Sequence, residues 1–226
     1  FHDYCFKTNN KIRIIINIGG ISNISLISNN KNNNVFGFDT GPGNTLIDTW
    51  TNEKYKLPYD RNGEIAYSNN YSKELLDIFL NDEFFDINAP KSTSTEYFSY
   101  DWIIKKLKLS NLNHSDGEVL STLTKFTSIS ILKSIKKEFN TCDEIYICGG
   151  GAFNKYILSD IANEAKIIFS EKIVVDTTDV LGFPPKCIES GLFAWLAKSK
   201  LNEDKLDYTN ITGSKEPVVL GEIFSS

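Results

Sequence analysis

Two adjacent glycines interrupt an apolar stretch near the start of the chain. Gly19 and Gly20 follow the β-branched run of residues 11–18, and Ser22 and Asn23 come shortly after them. A glycine has no Cβ atom, so a phosphate group can approach the backbone there, and the hydroxyl and carboxamide could donate further hydrogen bonds to it. An ordinary hairpin turn uses the same residues. Taken alone, the segment leaves both interpretations open.

A carboxylate and a second glycine turn end the next apolar stretch. Residues 38–44 place Asp39, Thr40 and Gly41 at the end of a predicted strand and Asn44 at the N-cap of a predicted helix. Asp39 could take a proton from a nucleophile as a general base, or it could cap its own turn through an Asx hydrogen bond. Asp39 is therefore the candidate catalytic residue, and the other three are candidate substrate contacts.

A third glycine segment separates a predicted strand, residues 144–148, from a predicted helix that begins near Asn154. Gly149, Gly150 and Gly151 would let a nucleotide lie against the backbone at the carboxyl end of the strand. The segment is neither a Walker loop nor a dinucleotide fingerprint. A glycine triplet alone is a weak signal, so its value depends on the other segments.

Two further charged residues have a functional and an ordinary interpretation. Lys91 could bind phosphate, although a single lysine in a loop is usually solvated. Glu189 could bind a sugar hydroxyl, or it could complement the dipole of its helix. The cysteines and histidines show no metal-ligand spacing, so no metal site is predicted.

Asp39-Thr40-Gly41 also suggests an aspartic protease, in which two such loops share one proton. The chain has one copy, because Asp176-Thr177-Thr178 lacks the glycine. A homodimer would supply the second carboxylate. We therefore keep a homodimeric protease as the alternative function.

Composition excludes several classes of partner. The chain has 226 residues, 41% of them hydrophobic, and a net charge of -5 without a basic run, which argues against nucleic acid. No apolar run approaches the roughly 20 residues that span a bilayer, and no secretory signal is visible, so a cytoplasmic protein with reduced thiols is expected. The chain lacks methionine and begins at Phe1, which suggests a piece of a longer protein.

Hydrophobic periodicity predicts an α/β fold with a mixed sheet covered by helices. Strands are predicted at residues 11–18, 21–28, 35–39, 144–148 and 172–176, with a turn at 29–34. A helix over 117–139, capped by Ser115, precedes the last two strands, and helices are predicted over 154–164 and 187–200. Residues 54–115 are interpreted as a helical insertion. This order is that of a ribonuclease-H-like lobe of the actin and hexokinase superfamily.

Taken in order, these segments resemble the anhydro-N-acetylmuramic acid kinase family over essentially the whole chain. The matching runs are residues 17–23, 38–44 with 46–48, 59–60 with Gly63, 90–93, 149–154, 189–197, 212–213 and 219–221. Such an ordered series is far more specific than any one motif.

The resemblance implies an ATP-dependent kinase that opens 1,6-anhydro-N-acetylmuramic acid, a cell-wall breakdown product, and phosphorylates O6. It implies that Asp39 is the base for the attacking water, and that Gly19, Gly20, Ser22, Asn23, Gly149, Gly150, Gly151 and Asn154 bind ATP with its Mg²⁺. The partners would be ATP and an amino sugar.

Two departures from the family pattern stand out. Ser94-Thr95 replace the usual Gly-Arg after Lys91-Ser92-Thr93, and the N-terminal phosphate loop of the family is absent. Residues 1–226 are thus expected to be the C-terminal lobe of a two-lobed kinase, inactive by itself. A ligand-binding remnant that has lost catalysis is the remaining alternative.

Overall fold

A computed structural model describes residues 1–8, 11–28, 36–207 and 215–224. Within these residues the chain forms five strands: β1 (Ile12–Ile18), β2 (Ile21–Ser28), β3 (Phe36–Pro42), β4 (Glu144–Cys148) and β5 (Val174–Thr177). The α-helices are α1 (His2–Phe6), α2 (Thr45–Tyr55), α3 (Glu64–Tyr67), α4 (Lys73–Leu80), α5 (Tyr100–Leu107), α6 (Asp116–Glu138), α7 (Lys155–Ile168) and α8 (Ile188–Leu201). The predicted turn at 29–34, the first residue of the predicted strand 35–39 and the matching run 212–213 lie outside the described residues.

The strands form one mixed sheet in the order β3-β2-β1-β4-β5. Strand β2 is antiparallel to both β1 and β3, and the two-residue turn Gly19-Gly20 explains the first pairing, because so short a connection can only reverse the chain direction. Strands β4 and β5 run parallel to β1, since the helices α6 and α7 provide the crossovers that parallel strands need. The predicted mixed α/β sheet is confirmed.

The centre of strand β1 is buried on both faces, which explains the apolar run Ile14–Ile16. Ile14, Ile16 and Ile18 belong to the large core beneath α6, whereas Ile15 packs with Tyr146 on the opposite face of the sheet. Because side chains alternate along a strand, neighbouring residues can serve two different cores. The face away from α6 has the smaller core.

Helix α6 is the central helix of the larger core. Its N-cap is Ser115, whose side chain accepts a hydrogen bond of 3.2 Å from the backbone N–H of Glu118, as the sequence predicts. The hydroxyls of Thr122 and Thr124 donate to carbonyl groups four residues earlier in the same helix. These bonds satisfy the hydroxyls, so a Ser- and Thr-rich helix can be buried over most of its length.

The segment between α2 and α6 packs against the same core as the sheet. Phe79 of α4 and Trp102 of α5 both contact Phe126 of α6, and the rings of Trp102 and Phe126 stack with centroids 5.6 Å apart. Such aromatic contacts add to the stability gained from burial. The helices α3 to α5 therefore extend the lobe's own core.

Among the predicted boundaries given above, three differ from the structure by two residues or more. Strand β3 continues to Pro42, because β2 offers a pairing partner as far as Ile21. Helix α7 runs to Ile168, four residues beyond its predicted end, and β5 begins at Val174. Among the described residues, no helix is both long and apolar enough to cross a membrane.

Candidate functional site

The first and third glycine segments lie at the same end of the sheet. Strands β1 and β4 are parallel neighbours, and Asn17 pairs in register with Cys148, so both glycine turns begin at the same level. Gly149 has φ +80°, and a Cβ atom there would lie 2.5 Å from Oδ1 of Asn17. The predicted placement of the two turns on one sheet edge is confirmed.

Asn44 connects the glycine segments. Its backbone N–H donates to the carbonyl of Gly19 over 2.8 Å, and its side-chain Nδ2 donates to the carbonyl of Ile18 over 3.3 Å. The same Nδ2 would be the nearest neighbour of a Cβ atom on Gly150, at 3.5 Å. Asn44 occupies the predicted N-cap position of helix α2, but its side chain makes no capping hydrogen bond, because the amide group bonds β1 instead.

A cavity of about 510 Å³ opens beside these turns, and we call it the glycine-turn cavity. Its lining is Asn44, Ile47, Asp48, Tyr59, Asp60, Arg61, Asn62, Gly150, Phe153, Asn154 and Lys186. Asn154 reaches it from the N-cap of α7, where its Oδ1 accepts from the N–H groups of Tyr156 and Ile157 at 3.1 Å each. Both bonds use its Oδ1.

The glycine-turn cavity also holds charged groups that sequence reasoning missed. Burial and the nearby Asp60 raise the pKa of Asp48 to about 6. Asp60 is fixed by the backbone N–H groups of Ile65 and Ala66. Asp48 follows Asn44 by four residues, a spacing that places two side chains on one helix face and could have pointed to it.

Asp39 faces a different part of the molecule, the loop of residues 91–95. Its Oδ2 accepts a 2.9 Å hydrogen bond from the backbone N–H of Thr93, and its own N–H donates to the carbonyl of Lys91 over 3.0 Å. Burial raises the pKa of Asp39, and the Thr93 hydrogen bond opposes that rise. A half-buried carboxylate with a raised pKa is a stronger base than one in water.

A second cavity, of about 580 Å³, adjoins this loop, and we call it the Thr93 cavity. It is lined by Glu83, Phe84, Ile87, Ser92, Thr93, Ser94 and Tyr97. Mostly apolar walls with a few polar groups are typical of small-molecule sites. The loop also reaches the first glycine turn, because the side chain of Thr95 lies 3.3 Å from where a Cβ of Gly20 would be.

A row of polar residues crosses the sheet between the two regions. Asp39 pairs with Asn23, Asn23 with Asn17, and Asn17 with Cys148 on successive strands. Residues directly opposite each other point to the same face of a sheet. Cys148 packs in the smaller core, so this row lies on the face away from α6.

Three other candidate residues lie away from both cavities. Ser22 and Thr40 are 0% exposed, their hydroxyl oxygens are 2.6 Å apart, and Thr40 also bonds the carbonyl of Ser22. These hydroxyls hold β2 to β3 at its bulge, contrary to the expectation that they face a ligand. Glu189 is exposed in the first turn of α8 and lines neither cavity.

The sheet consists of a three-stranded antiparallel unit that β4 and β5 continue, and it has glycine turns on one edge. This arrangement defines a ribonuclease-H-like lobe of the actin and hexokinase superfamily. The sequence profile of the family described as anhydro-N-acetylmuramic acid kinase matches residues 1–226. The chain belongs to this family.

Three relatives that carry the name of this family support the assignment. The protein from Shewanella sp. (strain MR-4) is 39% identical over 227 residues, covering 100% of this chain and 59% of the relative. Those from Haemophilus influenzae and Neisseria meningitidis serogroup C are 37% and 35% identical, covering 99% and 98% of this chain and 59% and 58% of the relative. The chain thus spans less than two thirds of the length of these relatives.

Proposed function

We propose that this chain is the nucleotide-binding lobe of an ATP-dependent kinase that hydrates the 1,6-anhydro bond of anhydro-N-acetylmuramic acid and phosphorylates O6. The main support is the meeting of the Gly19–Gly20 and Gly149–Gly151 turns on one sheet edge, joined by the polar row to Asp39. The product would be N-acetylmuramic acid 6-phosphate, formed during cell-wall recycling in the cytoplasm.

The nucleotide would lie in the glycine-turn cavity. Gly150 is exposed there with space for a ligand, and the ring of Phe153 is 45% exposed with Nζ of Lys186 4.8 Å from its centroid. Backbone amides and a cation suit phosphate, and an exposed ring suits a base. Asp48 offers the carboxylate oxygen that Mg²⁺ prefers, and the ion would neutralise phosphate charge when bound.

Asp39 would take the proton of the water that attacks the anomeric carbon. Its Oδ2 is held by Thr93, so the carboxylate has a fixed orientation when the proton moves. The Thr93 cavity next to it would receive the sugar. Positioning and a base of raised pKa together lower the barrier to water attack.

The rest of the catalytic apparatus would come from the N-terminal lobe of the family. Phosphoryl transfer needs groups on both sides of the cleft, and a phosphate loop like that of the family would clamp the β- and γ-phosphates. The chain supplies the base and the nucleotide cavity. By itself it should bind nucleotide weakly and transfer no phosphoryl group.

A product assay tests this function. The chain, given ATP, Mg²⁺ and the anhydro sugar, should make no 6-phosphate, whereas the same chain joined to the N-terminal lobe of a full-length relative should make it. Turnover by the chain alone at about 1 to 10³ per second would show that the catalytic apparatus is misplaced. A joined protein that folds and binds ATP without forming product would favour a ligand-binding remnant.

A further inference from the structure

Lys91 is buried although it carries an ammonium group. The residue is 8% exposed, and its Nζ donates a 2.9 Å hydrogen bond to the carbonyl of Phe84 and lies 4.1 Å from the centroid of the Phe84 ring. No salt bridge to Lys91 occurs within the described residues. Burying a cation without a carboxylate costs free energy, so the burial of Lys91 against Phe84 calls for a structural explanation.

The loop that begins at Lys91 holds Asp39 from two sides. The carbonyl of Lys91 accepts from the N–H of Asp39, and the N–H of Thr93 donates to the Asp39 carboxylate. Both bonds depend on where residues 91–93 lie. The ammonium of Lys91 fixes that segment to the 3-10 turn Glu83–Asp86, which is part of the insertion.

We propose that Lys91 is a positioning residue for Asp39. By tying its loop to the Glu83–Asp86 turn, Lys91 keeps the Thr93 N–H on Oδ2, which leaves Oδ1 directed to the reacting water. The chemical consequence rests on the proposed function, but the positioning itself does not.

The charges around Lys91 fit this role. Burial, aided by the nearby Lys137, lowers the pKa of Lys91 to about 8, while Glu138 and Asp86 raise it. The ammonium therefore remains the main form at neutral pH. An ammonium bonded to a carbonyl is a stronger anchor than a neutral amine.

Amide hydrogen exchange in the chain itself tests the positioning. Lys91→Met keeps the apolar stem and removes the ammonium, so exchange at the Thr93 amide should accelerate about tenfold relative to the core amide of Ile147. Lys91→Arg, which keeps a cationic donor, should accelerate it less. Lys136→Met is the control, because its Nζ donates to the carbonyl of Asn140 beyond the end of α6.

Equal acceleration at Thr93 in the Lys91→Met and Lys136→Met variants, or no change in either, would overturn the proposal. In the protein joined to the N-terminal lobe, Lys91→Met should lower kcat about tenfold with the KM for ATP unchanged. A KM change alone would also contradict positioning. If the exchange result holds while Asp39→Asn leaves turnover intact, only the proposed function fails.

Discussion

The glycine-turn cavity and the surroundings of Asp39 are built in different ways. The glycine-turn cavity is shaped by backbone at the ends of β1 and β4, where Gly149 packs against Asn17 with no room for a side chain. The Asp39 region is shaped by the loop of residues 91–95, about fifty residues away in sequence, whose backbone groups bond Asp39. Substitutions at Gly149 in the glycine-turn cavity should therefore act mainly on the stability of the fold, and substitutions of Asp39 mainly on the rate of the reaction.

The largest effect is expected at Asp39. An amide keeps the shape of the side chain but cannot accept a proton, so Asp39→Asn in the protein joined to the N-terminal lobe should lower turnover at least about a hundredfold. ATP binding, measured by calorimetry, should stay the same. Because the base works only when ionised and its pKa is raised, the wild-type rate should fall as pH falls through that raised pKa.

Asp176→Asn provides the matched control, since this exposed carboxylate belongs to the other Asp-Thr pair, Asp176-Thr177, at the end of β5. Its turnover should equal that of the unchanged protein. Retention of activity within about tenfold in the Asp39→Asn variant would contradict the base assignment. The assay must use the sugar and ATP, because an aspartic protease would also lose activity.

A substitution in the glycine turn at residues 149–151 should change the free energy of unfolding. Gly149→Ala places a Cβ at φ +80° and 2.7 Å from the carbonyl of Ile18, so we expect a loss of about 2 to 4 kcal/mol in the free energy of unfolding. Gly150→Ala meets nothing closer than 3.5 Å and should change stability little while weakening nucleotide binding. Denaturant unfolding of the chain measures both. Equal stability of the two variants would contradict the close packing of Gly149 against the carbonyl of Ile18.

The smallest effect concerns Asp48. Its pKa of about 6 lies above the ordinary value, so the folded chain binds the proton more tightly than the unfolded chain, and ionisation above that pH costs stability. Asp48→Asn should therefore raise stability by about 1 kcal/mol near pH 7.5, after allowance for solvent screening, and by nothing at about pH 3, below the ordinary pKa of an aspartate. Urea unfolding at both pH values checks this. A variant that loses stability near pH 7.5 would mean that Asp48 has a partner in the fold.

The sequence predicted what depends on neighbours along the chain. The cap at Ser115, the apolar runs of β1 and β4, and the glycines that end them are local signals. The rule that parallel strands present their carboxyl ends together then placed Gly19 and Gly149 on one edge. The order of such segments was also enough to indicate the family.

Only the tertiary structure decided the roles of individual polar side chains. The Asn44 side chain bonds β1 rather than capping its own helix, and Ser22 and Thr40 bond each other inside the sheet. Lys91 is buried rather than solvated, and Asp48 lies near Asp60. Each outcome depends on a partner distant in sequence, and a hydroxyl, amide or ammonium takes whichever partner the packed chain brings within about 3 Å. Local residue types do not specify that partner.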